Sequence, residues 1–151
     1  MENLKAATIL LVEDDPGDQK LIKMSLECQK ISNDVFVTET GEAALDYLSR
    51  SKAGDSECPP VNLILLDLNM PGMGGKEFLR RVKQDDQLDT IPIVVLTTSN
   101  SEQGILESYK LHAAGYIKKP VSLEGFRKVM QELEEYWFVI CRRVEVSSVK
   151  A

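Results

Sequence analysis

A chain of 151 residues, 43% hydrophobic and 28% charged, is sized for one domain and composed like an ordinary soluble protein, which argues against a disordered or fibrous chain. Its net charge of −6, with basic residues gathered only in short pairs such as Arg80-Arg81 and Lys118-Lys119, argues against a direct nucleic-acid partner. No apolar stretch approaches the length of a membrane span, and the amino-terminal apolar run meets acids instead of a cleavage site, so the expectation is a cytoplasmic protein with no membrane contact.

The first apolar run, TILLV at 8–12, ends in Glu13-Asp14-Asp15. The first helix opens there: Asp15 suits the cap, Pro16 the first helical position and Asp18 the positive helix end, with Leu21, Ile22, Ser25 and Leu26 on one face. DVFVTE at 34–39 is the second strand, and a second helix runs from about Gly41 with Ala44, Leu45 and Leu48 inward. The polar segment SRSKAGDSECPPVN follows as a long surface loop. In the third strand, NLILLD at 62–67, four consecutive aliphatic residues indicate burial on both faces, yet the run ends in Asp67.

The glycines of PGMGG lead into a third helix that buries Phe78, Leu79 and Val82. IPIVVLTT at 91–98 is the fourth strand, ending in Thr97-Thr98-Ser99, and Ser101 opens a fourth helix with Ile105, Leu106 and Tyr109 inward. GYIK at 115–118 is the fifth strand and continues into Lys119-Pro120. Ser122 opens a fifth helix, in which Phe126, Val129, Met130, Leu133, Trp137 and Ile140 fall at helical spacing. Beyond Trp137 the pattern fits continued helix, a strand or a tail equally. Strands alternating with helices predict an α/β fold, a parallel sheet covered on both faces.

Cys28, Cys58 and Cys141 are odd in number and lack CxxC spacing, and the single His112 has no partner at ligand spacing, so a metal site would have to be built from oxygen. Aligning the strands by their carboxyl ends supplies one. Glu13 and Asp14, Asp67, Thr97 and Lys119 converge on the edge where open parallel sheets bind ligands. Each residue alone has a plainer role, a cap or a turn. Together, close carboxylates repel by about 4 kcal/mol per pair at a protein surface, so a positive charge is required. Lys119 supplies one, and Glu13, Asp14, Asp67 and the carbonyl of Asn69 form the expected site for Mg²⁺, a hard cation that needs few protein ligands. Asp67, kept ionised, is then the candidate nucleophile toward phosphorus, with Lys119 and the Thr97 hydroxyl on the phosphoryl oxygens.

These residues resemble the receiver domain of two-component response regulators over about 7–135. The carrying motifs are ILLVEDDPGD, LILLDLNMPGMGG, IPIVVLTTS and AAGYIKKPV, in the family's order. The resemblance implies a flavodoxin-like fold, a five-stranded parallel sheet of order 2-1-3-4-5 in a single domain spanning 1–151, with 136–151 as a carboxyl-terminal extension. It implies Asp67 as phospho-acceptor, Glu13, Asp14 and the Asn69 carbonyl as metal ligands, Thr97 as switch hydroxyl, Lys119 as phosphate-binding lysine and Tyr116 as the aromatic switch. It also implies a cis Lys119-Pro120 bond. Glu13 replaces the aspartate of many relatives, and its longer side chain is expected to reach the metal through water. The long loop, the EDDPGD opening and the aromatic carboxyl terminus are similar, more narrowly, to single-domain regulators of bacterial phytochrome-type histidine kinases.

The enzyme competitor is a Mg²⁺-dependent phosphatase of haloacid dehalogenase type, whose nucleophile follows the first strand with a second aspartate two residues on. Here the candidate follows the third strand and position 69 is asparagine. The expectation is therefore a stand-alone switch and not a metabolic enzyme. Its expected partners are a histidine kinase, a downstream histidine phosphotransfer protein if it serves as an intermediate carrier, and a second copy through the bulky residues Tyr136 to Val139.

Overall fold

The computed structural model describes residues 7–27, 33–68, 70, 73–97, 113–120 and 122–133. In chain order the elements are β1 (Ala7–Val12), α1 (Pro16–Glu27), β2 (Asn33–Thr38), α2 (Gly41–Lys52), β3 (Leu63–Asp67), α3 (Gly74–Lys83), β4 (Ile93–Thr97) and β5 (Gly115–Lys118), with a further helix over 123–133. The five strands are parallel and ordered β2-β1-β3-β4-β5. This is the expected flavodoxin-like sheet.

The period-two alternation of strand side chains divides the core into two layers. Leu10, Val12, Ile64, Leu66, Ile93 and Val95 meet Ala44 and Leu48 of α2 and Phe78, Leu79 and Val82 of α3. On the opposite face Ile9, Leu11, Leu63, Leu65, Val94 and Leu96 meet Ile22 and Leu26 of α1 and Phe126, Met130 and Leu133 of the 123–133 helix. All five residues of β3 are buried, because both layers cover this strand. Each fully buried Leu or Phe contributes about 1.5–3 kcal/mol of transfer free energy.

The helix starts follow side-chain chemistry. Asp15 Oδ2 accepts from the Asp18 amide at 2.8 Å, Thr40 Oγ1 from the Ala43 amide at 3.0 Å and Ser122 Oγ from the Gly125 amide at 3.1 Å. At α3 the backbone itself approaches the end of β3. A Cβ on Gly75 would stand 2.6 Å from the Asp67 carbonyl oxygen and 2.7 Å from Leu68 Cα, so only glycine fits.

The loop after α2 is tied down from three sides. Tyr47 donates its hydroxyl to the Pro59 carbonyl at 2.8 Å, Arg50 pairs with Asp55, and Cys58 is buried among the core residues. One expectation is corrected: none of the described peptide bonds is cis, so Lys119-Pro120 is trans, the form that X-Pro bonds favour intrinsically by about 0.5–1 kcal/mol. The fourth predicted helix and the residues beyond Leu133, including Trp137 and the proposed dimer surface, lie outside the described residues. Among the described residues no helix is long and apolar enough to cross a membrane.

Candidate functional site at the carboxyl ends of the strands

Strand register brings the acids together. Val12 pairs with Leu66, so the next residues, Glu13 and Asp67, leave β1 and β3 at the same level. Both are buried, Asp67 with 3% of its surface exposed and Glu13 with none. Asp14 lies at the half-buried mouth, and a carboxylate oxygen from each of Glu13, Asp14 and Asp67 lies within 4.8 Å of the others. Thr97 and Lys118 are paired at the ends of β4 and β5, which delivers Lys119 to the same edge.

The Lys119 ammonium is the electrostatic hub. It stands 2.5 Å from Glu13 Oε1, 2.9 Å from Asp18 Oδ2 and 3.5 Å from Asp67 Oδ2, with 5% of its side chain exposed. Burial works to lower the pKa of Lys119, yet contact with Glu13, Asp18 and Asp67 holds it above the ordinary lysine value. For Glu13 the balance falls the other way. Burial first, and then the charge of Asp67, push its carboxyl up to about 7 against the opposing pull of Lys119.

Local hydrogen bonds fix the Glu13 turn: its Oε2 accepts from the Asp15 amide at 3.1 Å, and its carbonyl accepts from Gln19 Nε2 at 2.6 Å. Its Oε1 is fully buried and meets Lys119 as an ion pair, with no hydrogen bond of ordinary geometry. Four carboxylates, counting Asp18, thus face one ammonium among the described residues. An oxygen-rich cluster with that charge deficit and an under-used buried oxygen fits a divalent cation.

Of the residues singled out from sequence, Glu13, Asp14, Asp67 and Lys119 come together as expected. Asn69 and Thr98 lie outside the described residues, as do the side chains of Thr97 and Tyr116, whose backbones belong to β4 and β5. Sequence reasoning gave Asp18 a role at the helix end alone and missed its contact with Lys119. The two residues are 101 positions apart, and no local pattern signals their meeting.

Comparison with known proteins points the same way. The model of the response regulator receiver domain matches residues 9–131. The response regulator Rcp1 of Synechocystis sp. is 39% identical over 129 residues, covering 85% of this chain and 87% of that protein. Its Mn²⁺-bound crystal structure superposes with a TM-score of 0.77 at 38% identity, over 87% of this chain and 94% of the other. The structure of the phosphorylated cyanobacterial phytochrome response regulator RcpA gives a TM-score of 0.80 at 36% identity, over 89% and 95% of the two chains. The probable methanogenesis regulatory protein FilR2 of Methanothrix harundinacea is 37% identical, over 85% of this chain and 82% of its own length.

Proposed function

The chain belongs to the response regulator receiver domain family, and from that premise we propose that it is a phosphoryl-accepting switch, with Asp67 as acceptor and a histidine kinase as donor. The observation that carries this reading is the placement of Asp67. It is a buried carboxylate at the end of the central strand, with an ammonium 3.5 Å from its Oδ2 and two further acids beside it.

Glu13, Asp14 and Asp67, with the Asn69 carbonyl, would hold Mg²⁺, in keeping with the Mn²⁺-bound state of the Rcp1 structure. When bound, the cation supplies positive charge for the transferring phosphoryl group. Asp67 contributes the nucleophilic oxygen: a new P–O bond forms as the P–N bond to the kinase histidine breaks, and the electron pair leaves with the imidazole. Lys119 neutralises charge on the phosphoryl oxygens, and the buried setting of Asp67 limits attack by water. Thr97 and Tyr116 are the switch pair, moving with the phosphoryl group between two packed states.

The likeness to RcpA, a phytochrome response regulator, supports a phytochrome-type kinase as the partner. A probable methanogenesis regulatory protein is similar to nearly the same degree, so the kinase is to be sought beyond phytochromes as well. Output passes through protein contacts, by a cytoplasmic switch that catalyses no metabolic reaction, or onward to a histidine carrier. Purified phytochrome-type kinases carrying radiolabelled phosphohistidine provide the test. Label moving from kinase to this chain in the presence of Mg²⁺, and not to Asp67→Asn, is the expected result. Label that stays on every kinase tested, while control receivers take it, would overturn the pairing.

A further inference from the structure

Among the described residues Lys119 has three carboxylate partners, and they are not equivalent. Glu13 and Asp67 belong to the cluster suited to a divalent cation, whereas Asp18 does not. Asp18 sits in the first turn of α1, anchored by its amide to the capping Asp15, and presents Oδ2 to the ammonium at 2.9 Å from the half-exposed side. Lys119 is therefore drawn toward Glu13 and Asp18 and stands further from Asp67, at 3.5 Å.

We propose that Asp18 is a positioning residue that restrains Lys119, an anionic catch on α1 that competes with an incoming phosphoryl group for the ammonium. The inference rests on the reading of Asp67 as phospho-acceptor. A cation held by Glu13, Asp14 and Asp67 offsets two of the three charges that hold Lys119, which leaves Asp18 as the standing competitor. An anionic donor meets this residue twice, as a rival for the lysine and as one more negative charge beside the site. The catch slows acceptance of a phosphoryl group until the donor outcompetes it.

Phosphorylation by acetyl phosphate, in which the Asp67 O–P bond forms as acetate departs with the electron pair, measures the effect at saturating Mg²⁺. Initial rates are compared for the natural chain, Asp18→Asn and Asp18→Glu at low and high ionic strength. Asp18→Asn should reach half-maximal rate at a donor concentration roughly three- to fivefold lower, the range expected of one partly exposed ion pair. High salt should shrink that advantage. Asp18→Glu, which keeps the charge, should stay near the natural chain, which a purely structural role for the side chain would not require. An Asp18→Asn chain that folds and needs as much donor as the natural one, or more, overturns the catch. Equal labelling of Asp67→Asn would instead overturn the acceptor reading, and this inference with it.

Discussion

The Lys119 ammonium lies 2.5 Å from Glu13 Oε1, a buried ion pair that joins the end of β5 to the end of β1 across the intervening strands. Removing one partner of such a pair leaves the other buried without compensation, a loss of about 3 kcal/mol or more. Lys119→Met should accordingly lower the metal-free stability by that order at pH 8. Because a cation at the proposed site would compete with the ammonium for Glu13 and Asp67, Mg²⁺ should raise the melting temperature of Lys119→Met more than that of the natural chain. Urea and thermal unfolding with and without Mg²⁺ check both statements, and an equal response to Mg²⁺ would contradict the competition.

The raised carboxyl of Glu13 sets a pH dependence. Its folded-state value, about 7, lies above the ordinary 4.5, so between these two values the folded chain keeps a proton that the unfolded chain has lost. The contribution of Glu13 to metal-free stability therefore falls as pH rises from 4.5 to about 7, by about 3 kcal/mol at most. Glu13→Gln should flatten that slope. Saturating Mg²⁺, which requires the ionised carboxylate, should oppose it. Calorimetric melting across this range measures the effect, and a slope that is unchanged in Glu13→Gln would assign it to another group.

Gly75 carries a separate prediction. The approach of α3 to Asp67 and Leu68 leaves no room for a methyl group, with clashes of 2.6 and 2.7 Å against backbone atoms that cannot rotate away. Gly75→Ala should cost about 1–3 kcal/mol of stability, the usual penalty of overpacking, and should also slow phosphorylation by displacing the acceptor loop. A chemical denaturation midpoint equal to that of the natural chain would show that the helix start yields freely.

Much of this architecture was legible in the sequence because it rests on local pattern. The run Leu63 to Leu66 announced a strand buried on both faces, and Asp15, Gly41 and Ser122 marked helix starts within a residue of where they fall. The meeting of Glu13, Asp14, Asp67 and Lys119 followed from the rule that strand ends converge in a parallel sheet. Contacts set by three-dimensional packing were not legible. Asp18 meets Lys119 across 101 positions of sequence, with α1 packed in the same core layer as the 123–133 helix, and Gly75 is needed only because α3 starts against the backbone of β3. The burial of Tyr47 depends on a loop carbonyl 12 residues away that no helical period reveals. The trans Lys119-Pro120 bond departs from the family expectation, since proline permits both isomers and the local sequence does not choose between them.

Every role proposed for the site depends on Asp67 accepting the phosphoryl group, and intact mass after incubation with acetyl phosphate and Mg²⁺, for the natural chain and Asp67→Asn, is the decisive measurement. The expected result is a gain of one phosphoryl group that requires Mg²⁺, is absent from Asp67→Asn and maps to the peptide containing Asp67. A folded, Mg²⁺-binding natural chain that gains no mass, or a variant that gains as much, would contradict it and leave Asp67 as a metal ligand alone.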